Sequence, residues 1–253
     1  MTLQEIANIL DNAAQKAEAT NQLAAKEGYS LNEAYQIQKL AINNRIDRGE
    51  KIVGYKLGFT SKAKMEQMGV HDMIWGRLTN TMEIKINEAT NLDKYIHPRV
   101  EPEIAFLVKK DIDKQITEKE IPEYYEALAP ALEIIDSRYK NFKFSLEDVV
   151  ADNCSSIGFV VGDWLPIDTN VSDLNIELSF NNSVKQTGNT NAILGNPMAS
   201  AVAMTRLASE NNITLKKGQV ILAGAATAAE FLTPETTIKA TFEALGTVSF
   251  KTK

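Results

Sequence analysis

Two histidines and a single cysteine are all that the 253-residue chain has of the side chains that usually hold zinc or build a nucleophilic relay. A Cys/His zinc centre and a Ser-His-Asp triad are therefore poorly supplied. One cysteine, Cys154, excludes an intrachain disulfide framework and agrees with a reducing cytoplasm. With no histidine near it in sequence, Cys154 reads as a small buried side chain rather than a nucleophile. His71 and His97 read as surface or hydrogen-bonded structural residues. Basic residues are scattered under a net charge of −6, which argues against a nucleic-acid surface. No apolar run approaches a membrane span, and MTLQEIANIL lacks a signal peptide's basic start and small-residue cleavage site. Repeats, low-complexity tracts, Pro/Ser-rich linkers, GxGxxG and P-loop patterns are missing too. The simplest division is one domain over 1–253, with a helical N-terminal portion (1–50) and a β-rich body (51–253).

What is present suffices for a substantial core, since 44% of the residues are hydrophobic. Thr2 with Glu5, and Ser30 with Glu33, are capping-box pairs that open two helices, the first over 2–20 and the second stopped by Gly49. Lys51 to Thr60 reads as a strand, and Ser61 caps a short helix through Met68. Thr117 with Glu120 opens a further helix to about Ala129. Asn181-Asn182 marks a hairpin between Leu174–Phe180 and Val184–Gly188, and Asn196-Pro197 opens a helix to about Glu210. The tail is strand-rich around a Leu245-Gly246 turn. Strands without regular helical crossovers predict an α+β fold with a largely antiparallel or mixed curled sheet.

The candidate chemistry sits between Pro98 and Ser156. Glu101 and Glu103 are two apart, so a strand would project both from one face, beside the apolar run Ile104–Val108. Glu133 lies in a second apolar run, Ala131–Ile135. Carboxylates on apolar strands are costly unless paired or bound to a cation. Oxygen-only ligation favours Mg²⁺, with Mn²⁺ or Ca²⁺ as alternatives, over zinc. An E-x-E pair also arises as the solvated face of a half-exposed strand, and Pro102 between the glutamates suits an edge strand or a strand mouth. Lys56, flanked by Gly54 and Gly58 in an apolar strand, reads as an ammonium held near an anionic ligand or as an edge-strand lysine that discourages aggregation. The small-residue segment Ala223–Ala229 is explained first by close packing, with Thr227 as a polar ligand contact.

Taken together, GYKLGFTSKAKMEQMGV, WGRLTNTM, HPRVEPEIAFLV, ALEIIDSRYKNFKF and VADNCSS resemble, in order and spacing, the vinylpyruvate hydratase and 4-oxalocrotonate decarboxylase group of the fumarylacetoacetate hydrolase superfamily. The resemblance runs from about Leu31 to the C-terminus. It implies a mixed curled β-roll or barrel with surrounding helices, and a Mg²⁺ or Mn²⁺ site. It also implies metal ligation by Glu101, Glu103 and Glu133, an active-site lysine at Lys56, and substrate contacts around Leu78, Ser155 and Ser156. LGFTSKAKMEQMGV and RVEPEIAF look more like the decarboxylase branch. Asn80 stands where relatives often carry aspartate, which makes an acid–base role there doubtful and leaves it as a residue that orients substrate. The resemblance implies metal-dependent decarboxylation of a small 2-oxo acid, 2-oxo-3-hexenedioate. The alternatives are hydration of 2-hydroxypentadienoate and a catalytically silent partner subunit. A homo-oligomer, able to associate with a hydratase or decarboxylase partner, is expected.

Overall fold

The computed structural model describes residues 1–61, 65–66, 70 and 72–253. The helix expected over Ser61–Met68, its stop at Gly69, and His71 fall largely outside these residues. The chain opens with helices α1 (Leu3–Lys16), α2 (Ala24–Glu27) and α3 (Leu31–Asp47). Both expected capping boxes form, Thr2 accepting from the Glu5 amide and Ser30 from the Glu33 amide. The first helix ends at Ala17 in a left-handed C-cap, a few residues earlier than the sequence suggests. Ile6, Ala7 and Leu10 of α1 pack with Ala34 and Ile37 of α3. Together they cover Tyr139, Val149 and Val150, the last two in α5 (Leu146–Ala151); α4 spans Ile121–Tyr124.

A buried aspartate pins this helical layer to the body. Asp148 Oδ1 accepts from the Leu23 and Ala24 backbone N–H groups at 3.1 and 2.8 Å and from the Tyr29 hydroxyl at 3.0 Å. Its own Ser145 cap orients the turn that carries it.

Among the described residues thirteen strands make two sheets, neither closed into a barrel. The first contains β1 (Ile52–Gly58), β2 (Ile74–Thr79), β4 (Arg99–Val108), β5 (Tyr125–Ile135), β6 (Ser156–Val161) and β10 (Val220–Leu222). Its order is β2-β1-β10-β4-β5-β6, with β7 (Leu165–Pro166) added to β5 and β11 (Glu230–Phe231) to β4. The second orders β3 (Ala89–Thr90), β13 (Gly246–Thr252), β12 (Thr237–Phe242), β8 (Asn175–Phe180) and β9 (Ser183–Asn189). Pairing is antiparallel except for β1 with β10 and β13 with β3. The fold is thus α+β with mixed sheets, and the roll rather than the barrel is what forms.

Alternation along β4 and β5 divides the molecule. Val100, Ile104 and Phe106 of β4, with Leu128, Leu132 and Ile134 of β5, enter the main core against Ile176, Leu178, Ile238, Ala240 and Phe250 of the second sheet. The odd-numbered residues therefore face the other way. There Ala105 and Ala131 join Leu78, Met82, Phe159 and Leu222 in a small separate apolar cluster. Helix α6 (Pro197–Glu210) starts as expected, Asn196 capping the Met198 N–H, and sends Met204 and Leu207 into the main core.

Three expectations need correction. The helix opened by Thr117 does not reach Ala129: it closes at Tyr124, and β5 begins at Tyr125. Ala127 to Ala129 have good helix propensity, but pairing with β4 buries both faces of the segment, and that gain overrides a preference of tenths of a kcal/mol, about 0.7 at most for ordinary residues. Lys56 is not on an edge, because β1 lies between β2 and β10. Nor is β4 an edge strand. Pro102 is tolerated there because it lies between the stretches paired with β10 and β11. Its carbonyl accepts from Ala226 of the connecting loop, so the missing N–H falls on a gap in the ladder.

Asp148→Ala should strand two backbone donors and a phenol inside the protein. We expect a loss of about 2–4 kcal/mol, at about 1–3 kcal/mol per buried unsatisfied group with partial relaxation. Urea unfolding of the variant measures it; a change under about 0.5 kcal/mol would remove Asp148 as the pin.

Candidate metal and active site

Strand register assembles the site. Glu101 of β4 stands directly opposite Glu133 of β5, and Glu103 opposite Ala131. All three glutamates leave the odd face, and one oxygen from each lies within 4.8 Å of the others. Lys56 joins them through a second register: it is level with Leu222 of β10, which is level with Ala105 of β4. Glu103 and Glu133 are fully buried and Lys56 is 3% exposed, while Glu101 is half-buried toward the mouth.

Lys56 Nζ lies 2.9 Å from Glu133 Oε2 and donates to the Cys154 carbonyl at 3.4 Å. The approach to Glu133 is an ion contact off the angle of a hydrogen bond, so both Glu133 oxygens still lack a donor. Glu103 Oε2 accepts from the Gly224 N–H at 2.7 Å, and Glu103 Oε1 has no partner. Burial first, and the Glu133 charge next, hold the Glu103 carboxyl well above the ordinary glutamate range, against the pull of Lys56. Burial opposes the Lys56 charge, but Glu133, then Glu103 and Glu101, outweigh it and keep the ammonium above its usual value. Lys56 is thus a fixed cation, not a base.

Three converging carboxylates, two of them buried with oxygens unpartnered among the described residues, could hold a hard divalent cation. Among the described residues Lys56 is the cation in ion-pair contact with Glu133, and the all-oxygen set suits Mg²⁺ or Mn²⁺. The floor around it is apolar and small, with Ala105, Ala131, Leu222 and Leu78 on the same side.

The remaining candidates divide. Leu78 lies on this face, paired with Gly54 two residues from Lys56 in β1. Ser155 is buried with an unpartnered hydroxyl, next to the Cys154 carbonyl that receives Lys56. Ser156 is not brought to the carboxylates: it lines a cavity of about 30 Å³ against α1 and α3, because it begins β6 on the helical side. Asn80 is exposed, and its side-chain oxygen accepts from the Lys51 N–H at 2.7 Å. It lies four residues along from Gly76, the partner of Lys56, or roughly 13 Å along the strand. That distance makes Asn80 a turn residue. Thr227 donates to the Ala228 carbonyl within its own loop at 3.0 Å.

Two contributors are not legible in the sequence. Gly224, at φ +104°, brings its N–H to Glu103, and a Cβ there would meet Thr60 Oγ1 at 2.1 Å. Sequence alone suggests only packing for this segment, because nothing in its spacing places it beside β4. The second is the turn Asn153-Cys154-Ser155, three consecutive left-handed residues at φ 51°, 51° and 59°. The Asn153 side chain holds it by accepting from the Arg77 N–H at 2.7 Å and donating to the Arg77 carbonyl at 2.9 Å. Its close packing on β2 needs glycine at 76, where a Cβ would meet the Asn153 carbonyl at 2.6 Å. The Cys154 thiol itself is buried, donates to the Trp75 carbonyl, and is pushed up to about 12 by burial, so it stays inert as expected.

Comparison with known proteins gives a consistent picture. The fumarylacetoacetate (FAA) hydrolase C-terminal family profile matches residues 61–252. A 4-oxalocrotonate decarboxylase of Pseudomonas sp. is 48% identical over 252 residues, covering 100% of this chain and 98% of the relative. A 2-hydroxypent-2,4-dienoate hydratase of Pseudomonas putida is 35% identical over 173 residues, covering 67% and 78% of the two chains. Among solved structures, the 4-oxalocrotonate decarboxylase of Pseudomonas putida G7, complexed with magnesium and adipate, superposes with TM-score 0.95 at 30% identity, covering 99% and 97%.

Glu103→Gln can keep the Gly224 hydrogen bond while losing its charge. Mg²⁺ affinity measured by calorimetry should fall by at least about tenfold; unchanged affinity would take Glu103 out of the site. A pH dependence follows from the same residue. Because the folded protein holds the Glu103 proton above the ordinary value of 4.5, it binds more protons than the unfolded chain as pH rises past that value. Metal-free stability should therefore decline through that window, and added Mg²⁺, which displaces the proton, should stabilise more at the higher pH. Thermal melts with and without MgCl₂ between about pH 5 and 8 test it; a Mg²⁺ effect that shrinks as pH rises would contradict it.

Proposed function

The chain belongs to the fumarylacetoacetate (FAA) hydrolase C-terminal family, and on that premise we propose that it is a divalent-metal-dependent carboxy-lyase acting on 2-oxo-3-hexenedioate. The observation that carries the choice is the whole-chain likeness to a 4-oxalocrotonate decarboxylase, against the partial-chain likeness to the hydratase.

The reaction breaks the C5–C6 bond and releases C6 as CO₂. The electron pair left behind forms C4=C5, the C3=C4 pair shifts to C2=C3, and the keto oxygen takes the charge. Protonation of that oxygen yields 2-hydroxypenta-2,4-dienoate. A divalent cation held by Glu101, Glu103 and Glu133 would supply Lewis-acid stabilisation of charge on the keto oxygen. Lys56, kept charged by its carboxylate neighbours, adds a fixed positive charge beside the same cluster that would stabilise the enolate. Gly224 and the Cys154 carbonyl orient Glu103 and Lys56. The apolar floor of Leu78, Ala105, Ala131 and Leu222 keeps water from the cluster, which strengthens the attraction between its cations and charge developing on the enolate oxygen. Hydration would need a group to move water's proton at the far carbon. Asn80, exposed and committed to Lys51, does not offer one. The same reading includes a cytoplasmic homo-oligomer able to associate with a hydratase partner, which the mass of the purified protein alone and mixed with such a hydratase would test.

With Mg²⁺ or Mn²⁺ the protein should release CO₂ from 2-oxo-3-hexenedioate and hydrate 2-hydroxypentadienoate much more slowly, both followed by product mass. Rapid hydration without CO₂ release would replace the decarboxylase with the hydratase, and neither reaction would favour a silent subunit. Lys56→Met keeps the apolar stem and deletes the charge. Its turnover should fall by about a hundredfold or more; a variant within a few-fold of wild type makes Lys56 structural.

A further inference from the structure

The odd face of β4 carries a cation that the mechanism above does not use. Arg99 precedes Glu101 by two residues and Glu103 by four, so its side chain leaves the same face, one pleat nearer the mouth. Its cross-strand neighbour on β11 is Phe231. The guanidinium carbon lies 4.1 Å from the Phe231 ring centre and 4.4 Å from that of Phe142, so the group is clamped between two aromatic faces. Phe142 holds this position at φ 56°, a backbone state that a bulky residue adopts only under constraint. Despite this investment, Arg99 Nε is buried with no hydrogen-bond partner, and Arg99 makes no ion pair among the described residues.

A second unpartnered nitrogen lies beside it. The His97 ring packs 5.1 Å from the Phe142 ring, and His97 Nε2 is also buried without a partner. Asp136 Oδ1, 4.0 Å from that nitrogen, is already taken by the His97 backbone N–H at 2.8 Å. Two unpartnered nitrogens thus flank one ring, beside the strand that carries the candidate metal ligands; Glu101 and Glu230 act on the Arg99 guanidinium through space, but no described residue supplies an acceptor to its Nε.

We propose that Arg99, clamped by Phe142 and Phe231 and backed by His97, is the subsite for the second carboxylate of a dicarboxylic 2-oxo acid. This rests on the decarboxylase reading and deepens it by saying how a diacid is chosen. Register fixes the direction. Lys56 is level with Ala105, deeper than Glu103, whereas Arg99 lies on the shallow side of Glu101. A substrate whose keto-acid end sits at the glutamates can extend only toward one of these cations. Lys56 is 3% exposed and already engaged by Glu133 and Cys154. Arg99 has both an unsatisfied nitrogen and access to the mouth. Ring faces above and below the guanidinium leave only its edge free, which is the edge that meets a carboxylate in bidentate fashion. Arg99 meets a charge that is lost as CO₂ forms, so removing it should weaken diacid binding without slowing the chemical step.

The test uses two unreactive probes with the same 2-oxo acid head, 2-oxoadipate and 2-oxohexanoate, titrated into the Mg²⁺-loaded protein by calorimetry. Wild type should bind the diacid more tightly, and Arg99→Met should weaken 2-oxoadipate by at least about tenfold while changing 2-oxohexanoate by less than about threefold. Equal weakening of both, or of neither, overturns the subsite. Phe231→Ala removes one ring at the exposed surface and guards against misfolding of the arginine variant. It should lower the diacid preference several-fold, and an unchanged preference counts against the clamp. Neither probe loses CO₂, so binding is measured apart from the reaction. A protein that prefers the diacid but releases no CO₂ from 2-oxo-3-hexenedioate would sink the decarboxylase reading and leave the subsite standing.

Discussion

Two glutamates and a lysine buried within reach of one another are the constraint on which the rest of this structure depends. Glu103 and Glu133 are inaccessible to water, and among the described residues Lys56 is the one cation in ion-pair contact with either, at Glu133. Taking such groups out of water costs several kcal/mol per ion, and Lys56 by itself does not return that for two fully buried carboxylates. Without a metal, burial and the Glu133 charge hold the Glu103 carboxyl above the ordinary glutamate range. A divalent cation offsets the burial cost better, because it opposes more charge and satisfies the orphan oxygens together. The electrostatics of the sheet thus favour a divalent cation at these three carboxylates.

Backbone devices hold this cluster in place, and they come from distant parts of the chain. Gly224 approaches Glu103 because glycine alone tolerates its conformation and its distance from Thr60. The left-handed turn at Asn153–Ser155 offers a carbonyl to Lys56 and is itself held by Asn153 against Arg77. Arg77 in turn donates to the buried Gln38 of α3, at 2.5 Å, so the helical layer braces the site from behind. Strain in the turn is retained because each neighbour over-determines it.

The two faces of β4 and β5 separate stability from chemistry. Even-numbered residues build the inter-sheet core and fix the pairing. From Arg99 to Ala105, and from Ala127 to Glu133, the odd-numbered ones are glutamates, alanines and one arginine, too polar or too small to stabilise the sheet by themselves. A slip of one residue would exchange the faces and bury the carboxylates in the main core, so the apolar face enforces the register that the active face needs.

Much of the site is legible in the sequence because its signals are short-range. Two carboxylates at strand spacing, a third in another apolar run and a lysine between glycines violate the ordinary burial rules within a few residues of sequence. The capping boxes at Thr2 and Ser30 and the Asn196-Pro197 helix start are equally local, and all form. What the chain does not disclose are relations between distant segments. Ala127–Ala129 is strand because β4 is available to pair with it. Ser156 turns toward the helices, and Gly224 reaches Glu103 across 121 positions of chain. Residue type and periodicity determine which groups are out of place in a strand. Only the packing of the even face decides which of them meet, since register and loop paths are set by burial summed over the whole sheet, to which no local pattern has access.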